Sequence, residues 1–313
     1  MKAKVREAYE NCVAWLLWAL CYCVALHPRC IRYGCYKPFV AFIMRRVVRY
    51  RYAVITTQLR ESFPEKSEAE IADIRHRYYD HLAEMIVDTL SLARINNKRR
   101  RESTVFDLPA DFHEQIKGRD VVALTSHYGF WECALNIFLE TPEHRIVGAY
   151  RPIKSAIVDK LFRRLRNNDE VDIVPSQQLM RHFLTNRNGK SGKYLIAGLI
   201  ADQNCPPTKD CCWHRFLNHD TIFFDGGEHL AVKYHLPVLY LELERIEAGR
   251  YRHHFTILYD GVEEVAPHEI TERYARSLER TIVAKPEYWM WSHRRWKHPT
   301  KPNSKFYNNY KEQ

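Results

Sequence analysis

Between Asn11 and Arg60 the chain has no aspartate and no glutamate. Eight cations, Arg29, Arg32, Lys37, Arg45, Arg46, Arg49, Arg51 and Arg60, fill that window from Arg29 onward without a counter-charge. Crowding of one sign suits an anionic lipid surface. Long linkers are missing too: no Gly/Ser-rich or Pro-rich tract, low-complexity stretch or fixed-period repeat occurs, which excludes a string of tethered modules or a repeat array. No small-x-small cleavage site follows the apolar run Val13-Ala14-Trp15-Leu16-Leu17-Trp18-Ala19-Leu20, and no small residue stands just before Cys21 or Cys23. Both gaps argue against a cleaved signal peptide or a lipoprotein box. The cysteines number nine, an odd count, and fit no secreted disulfide framework in a chain of this length.

What is present begins with residues 11–28, uncharged and long enough to reach about 27 Å as a helix. The excess of arginine after this stretch predicts a retained membrane anchor, spanning or interfacial, with the following chain on the cytoplasmic side. The expected organisation is therefore an anchor over residues 1–28, a basic juxtamembrane segment over 29–62 and a single domain over 63–313. A net charge of +10 favours anionic partners: phosphorylated lipids, an acidic carrier protein or nucleic acid. The anchor makes nucleic acid a poor account of the whole chain.

Ser67-Glu68-Ala69-Glu70 reads as a capping box opening a long amphipathic helix along Ile71, Ile74, Tyr78, Leu82, Ile86, Val87 and Leu90. Strands are expected at 121–125, 145–150, 171–174, 194–201, 238–244 and 254–259. Helices are expected at 130–138, 157–165, 177–184, 224–234 and 268–284. Such alternation predicts an α/β fold, a mainly parallel or mixed central sheet flanked by helices. Ligands in such sheets gather outside the carboxyl ends of the strands, where His127, Arg151 and Asp202 each fall.

Of sixteen histidines, only His127 has a carboxylate five positions downstream, Glu132. Five residues of regular helix would hold the two side chains about 140° apart, so both cannot sit on one helix. With His127 in a strand-to-helix turn and Glu132 in the first helical turn, the carboxylate can swing back under the imidazole and orient a general base. The spacing alone is weak, and a turn histidine followed by a dipole-complementing glutamate is the plain alternative. Asp202 can likewise be only a turn former, and Arg151 only a solvated arginine before proline. Cys205, Cys211, Cys212, His214 and His219 form the only cluster that looks like metal ligands, but they match no C-x-x-C arrangement, and no metal site is expected.

Taken in order, Ser126-His127-Tyr128-Gly129-Phe130-Trp131-Glu132, Tyr150-Arg151-Pro152 with Asp159 and Arg166, Ala201-Asp202-Gln203, Phe216-Leu217-Asn218-His219-Asp220-Thr221, and Pro286 through Lys297 resemble the late acyltransferases of lipid A biosynthesis. These share a His-x4-Asp/Glu motif with the glycerolipid acyltransferases. Two stretches depart from the pattern, Cys205-Pro206-Pro207 and Cys211-Cys212-Trp213-His214, and bear on substrate selectivity. The resemblance implies transfer of a fatty acyl group from an acyl-carrier-protein thioester to a hydroxyl of a phosphorylated glycolipid, at the cytoplasmic face of a bacterial inner membrane. No cofactor is implied. His127 would act as general base with Glu132, while Arg151, Arg166 and Asp202 would contact substrate. The same chemistry on another acceptor lipid, a non-catalytic basic membrane-binding protein and a zinc-dependent hydrolase remain alternative readings.

Overall fold

A computed structural model describes residues 2–166, 168–208, 211–300 and 304–307. Its centre is a seven-stranded sheet of order β1-β9-β8-β2-β5-β3-β4. The strands are β1 (Thr104–Asp107), β2 (Val121–Thr125), β3 (His144–Tyr150), β4 (Val171–Pro175), β5 (Tyr194–Ile200), β8 (Val238–Glu247) and β9 (Arg250–Tyr259). Five run parallel in the order β8-β2-β5-β3-β4, and β9 turns back against β8 as a hairpin with β1 parallel to it. The α/β expectation holds, with the sheet mixed at one edge. A second sheet carries β6 (Cys212–Phe216) and β7 (His219–Ile222) with the short β10 (Lys305–Phe306).

β2 is Val-Val-Ala-Leu-Thr and buried throughout, as expected of a strand covered on both faces. The helix Gly226–Tyr234 lies directly on it, and a Cβ at Gly227 would stand 2.9 Å from Leu124 Cδ2 and 3.1 Å from Leu199 Cδ1. Glycine here sets the helix-to-sheet distance. The amphipathic helix Glu68–Ser91 opens on the expected capping box: Ser67 Oγ accepts from Glu70 N–H, and the Glu70 carboxylate accepts from Ser67 N–H at 2.8 Å.

Two local expectations change. Residues 130–138 fold as a 3-10 helix, Trp131–Leu139, rather than an α-helix. The β6–β7 hairpin leaves no mark in the sequence pattern because its turn is Leu217-Asn218, both left-handed at φ 48° and 62°, with no glycine to signal it.

Lys2–Leu26 is one continuous helix, and its Lys4–Leu26 portion is, among the described residues, the only one long and apolar enough to cross a membrane. It also touches the domain. The guanidinium of Arg164, on the helix Ala156–Arg166, lies 3.8 Å from the Trp15 ring centroid, and Lys160 pairs with Glu10 at 3.3 Å. In the basic stretch, the helix Tyr52–Ser62 sinks Ile55 and Leu59 fully into the core, so its apolar face belongs to the domain.

Candidate active site

Parallel pairing of β2 with β5 sets Thr125 against Ile200. Two residues beyond that register, His127 and Asp202 leave the sheet side by side. Asp202 Oδ1 receives His127 Nδ1 at 2.7 Å, and Oδ2 receives both the His127 backbone N–H at 2.9 Å and Trp289 Nε1 at 2.8 Å. Burial works to raise the Asp202 pKa, since the residue is 2 % exposed, but the imidazole of His127, through its charge when protonated and its hydrogen bonds, holds it with Trp289 below the usual aspartate range. An ionised Asp202 can only accept, so the proton sits on His127 Nδ1. Nε2 is left with its lone pair, and the Gln203 amide donates to it at 3.0 Å. This is the tautomer a general base needs.

The expected contact between His127 and Glu132 is absent: among the described residues no hydrogen bond joins them. Glu132 is bound in two-pronged fashion by Arg166, Nε to Oε2 at 2.7 Å and Nη2 to Oε1 at 2.5 Å. Burial alone would lower the Arg166 pKa, but the Glu132 hydrogen bonds and charge carry it above its ordinary value. A bidentate guanidinium satisfies a sheltered carboxylate better than an imidazole already committed elsewhere. Glu132 and Arg166 therefore form a second ion pair, separate from the His127–Asp202 pair, and between them in the chain Trp131 lies edge-on to the imidazole at 5.1 Å between centroids. Arg151 follows β3, exposed, with no hydrogen bond or ion pair among the described residues.

The Pro286–Lys297 block holds the His127 loop in place. Tyr128 and Trp289 form a β-bridge, Met290 N–H donates to His127 O at 3.1 Å, and Gly129 N–H donates to Tyr288 O at 3.0 Å. Gly129 has φ 61°, and a Cβ there would meet Leu243 O at 3.1 Å, so the loop passes β8 at backbone distance. The block is tied in turn to the helices: Gln58 Nε2 donates to Trp291 O at 2.7 Å, and Arg77 pairs with Glu287 at 2.8 Å. Trp291 is fully buried. His293 Nε2 accepts from Asn204 N–H at 3.1 Å, and burial lowers its pKa to about 4, so it stays neutral. Spacing along the chain does not reveal these contacts; the only signal is the density of aromatic and basic residues in the block.

The cysteine-histidine cluster is otherwise engaged. His214 Nδ1 lies 2.6 Å from Glu272, and His219 stacks on Trp296 at 3.8 Å. Among the described residues no group of three or more His, Cys, Asp or Glu side chains is placed to hold a metal ion.

A buried carboxylate, an oriented imidazole whose Nε2 acceptor faces only the Gln203 amide, and a guanidinium paired with Glu132 can remove a proton from a hydroxyl and stabilise the charge that develops. A comparison with curated proteins gave no match. The sequence profile described as "Bacterial lipid A biosynthesis acyltransferase" matches residues 2–298, nearly the whole chain, and the protein belongs to that family.

Proposed function

We propose that the protein transfers a fatty acyl chain from an acyl-carrier-protein thioester to a hydroxyl of a phosphorylated lipid A precursor, at the cytoplasmic face of the inner membrane. The observation that carries the base assignment is the placement of the His127 ring, with Nδ1 2.7 Å from Asp202 Oδ1 and Nε2 turned to a position now filled by the Gln203 amide. An acceptor hydroxyl in place of that amide would lose its proton to Nε2 as its oxygen attacks the thioester carbonyl. Collapse of the tetrahedral intermediate expels the carrier thiolate, which takes the proton back from His127 Nε2 to leave as the thiol, with the acyl ester on the acceptor and the imidazole restored. Asp202 stabilises the imidazolium. Cys133 N–H is taken by Phe130 O, but Trp131 and Glu132 N–H, at the start of the Trp131–Leu139 helix, have no backbone acceptor among the described residues, and they are the donors assigned to the oxyanion. In this reading Glu132 acts through Arg166, holding the guanidinium toward the reacting oxygen or an acceptor phosphate; Arg151, exposed beyond the end of β3, is a second phosphate contact. No cofactor takes part.

The test is acyl transfer by the purified chain in nanodiscs, with acyl carrier protein as donor and a phosphorylated glucosamine disaccharide lipid as acceptor, read by mass spectrometry. One acyl increment on the acceptor, lost in His127→Ala with membrane binding retained, is the expected result. Transfer that persists in His127→Ala refutes the base assignment. An increment found only on a glycerolipid or amino-acid lipid moves the same chemistry to another acceptor.

A further inference from the structure

A cavity of about 350 Å³ lies apart from the catalytic side chains: none of His127, Glu132, Arg166 or Asp202 lines it. Five arginines do: Arg29, Arg32, Arg94, Arg99 and Arg100. Arg29 pairs with Glu247 at 3.3 Å. The other four have no ion pair among the described residues. Arg100 is 6 % exposed, and its side chain is satisfied only by one bond to Asn136 Oδ1 at 2.7 Å. Arg32 donates to Ser91 Oγ at 2.6 Å while its Nε is buried without a partner. Arg99 reaches only the Arg94 carbonyl, at 3.3 Å.

The cavity's own buried carboxylate offsets the Arg32 charge in part but forms no ion pair with any of the five among the described residues. Asp88 is taken by two phenols, Tyr33 on Oδ1 and Tyr251 on Oδ2, each at 2.5 Å. Glu102, also in the wall, is exposed. Arg100 is buried and Arg32, Arg94 and Arg99 are half-buried around this common space, an arrangement that an anion bound there would stabilise. Planar forks in that arrangement match phosphate oxygens.

The position says which kind of phosphate. Ala25 and Leu26, the last residues of the membrane-length helix, form part of the cavity wall, and Leu92, Ile95 and Phe130 give it an apolar side. Where such a helix leaves the hydrocarbon, lipid phosphates are the abundant anions. We propose that this cavity binds the phosphate-bearing headgroup of an anionic membrane lipid. The bound group bridges the end of the anchor, through Arg29 and Arg32, to the helix Asn97–Ser103, through Arg99 and Arg100. Phe130, Cys133 and Asn136 also line it, so the lipid braces the helix that carries Glu132. Binding here does not depend on acyl transfer at His127.

The full-length chain, purified in an uncharged detergent, is titrated with short-chain phosphatidylglycerol, short-chain phosphatidylcholine or inorganic phosphate. Binding is read by thermal shift and by native mass spectrometry. Phosphatidylglycerol is expected to bind and to weaken roughly ten- to a hundredfold in Arg99→Gln and in Arg94→Gln, which leave the buried Arg100–Asn136 contact intact. Arg46→Gln, an exposed cation outside the cavity, is expected to change nothing. Equal binding of phosphatidylcholine overturns the proposal, as does an equal loss in Arg46→Gln. Inorganic phosphate binding as tightly as phosphatidylglycerol overturns the lipid as occupant in favour of a soluble phosphate.

Discussion

Replacing Asp202 with asparagine keeps its size and removes its charge, and the hydrogen bonds around it dictate how the new amide must sit. Oδ2 accepts from two donors, the His127 backbone N–H and Trp289 Nε1, so the amide oxygen of the variant must occupy that place. The amide nitrogen then faces His127 Nδ1, which has to become the acceptor. The ring proton moves to Nε2, where the base lone pair was, and a neighbouring charge that would stabilise the imidazolium is gone. Disrupting one member of a buried, hydrogen-bonded charge pair costs about 3–5 kcal/mol. At about 1.4 kcal/mol per factor of ten, kcat for acyl transfer should fall roughly 10²- to 10⁴-fold, with KM little changed. Single-turnover transfer from acyl carrier protein measures this directly, with a thermal melt to show that the variant is folded. His127→Ala combined with Asp202→Asn should be no worse than His127→Ala alone, because the two residues act as a unit. If Asp202→Asn keeps kcat within about a factor of three while Glu132→Gln loses about a thousandfold, the orienting acid is Glu132 and not Asp202.

Glu132→Gln and Arg166→Gln should each lower kcat less than Asp202→Asn and be strongly non-additive with one another, since each strands the other's charge; a double-mutant cycle gives the coupling, expected at about 1–3 kcal/mol for a partly buried pair. Gly129→Ala should cost about 1–2 kcal/mol from its left-handed backbone alone, seen as a lower midpoint in urea, and more from the contact with Leu243. Stability should fall on acidification from about pH 6.5 toward 4: burial lowers His81 and His293 to about 4 and His253 to about 3, so each is neutral when folded and takes a proton more readily when unfolded. Asp88, raised by burial to about 6, works in the opposite sense, its contribution being lost as pH rises through 6, but with His219 also lowered to about 4 it is one group against four. Urea midpoints against pH should show the net acid loss, and His81→Gln should flatten it.

The sequence carries the strand ends but not their neighbours. A buried apolar run followed by Ser126-His127, and another followed by Asp202-Gln203, are both legible as sites because strand burial writes itself into local composition. That β5 lies beside β2 is not, for the two are joined only through a chain that visits β3 and β4 first, and the contact it creates spans 75 positions. The His127–Glu132 spacing is visible as a motif, yet spacing cannot report competition. Arg166 arrives from the helix after β3 and claims both Glu132 oxygens, while Asp202 claims Nδ1. The Trp289 bond to Asp202 is hidden for the same reason: an indole donor 87 positions away leaves no local trace.

Electrostatic balance explains why each of the two buried carboxylates at the site comes with an arginine nearby. Asp202 is ionised in a place almost closed to water, and a lone carboxylate there would be costly. Arg295, 3 % exposed and with no ion pair among the described residues, supplies opposing charge; burial lowers its pKa to about 10 and the Asp202 charge partly restores it, so it remains a cation at neutral pH. Glu132 and Arg166 cancel one another. With His127 in its neutral, base form these charges sum to zero. In the proposed reaction, proton transfer to Nε2 creates a positive imidazolium at the moment the attacked carbonyl becomes a negative oxyanion, and the sum stays zero. A base whose product charge is matched as it forms can work in a desolvated setting, where a net charge would be expensive. Glu132 placed directly on the imidazole would leave Arg166 unneutralised. The geometry that gives Asp202 to His127 and Glu132 to Arg166 would keep every step of the proposed transfer close to electroneutral.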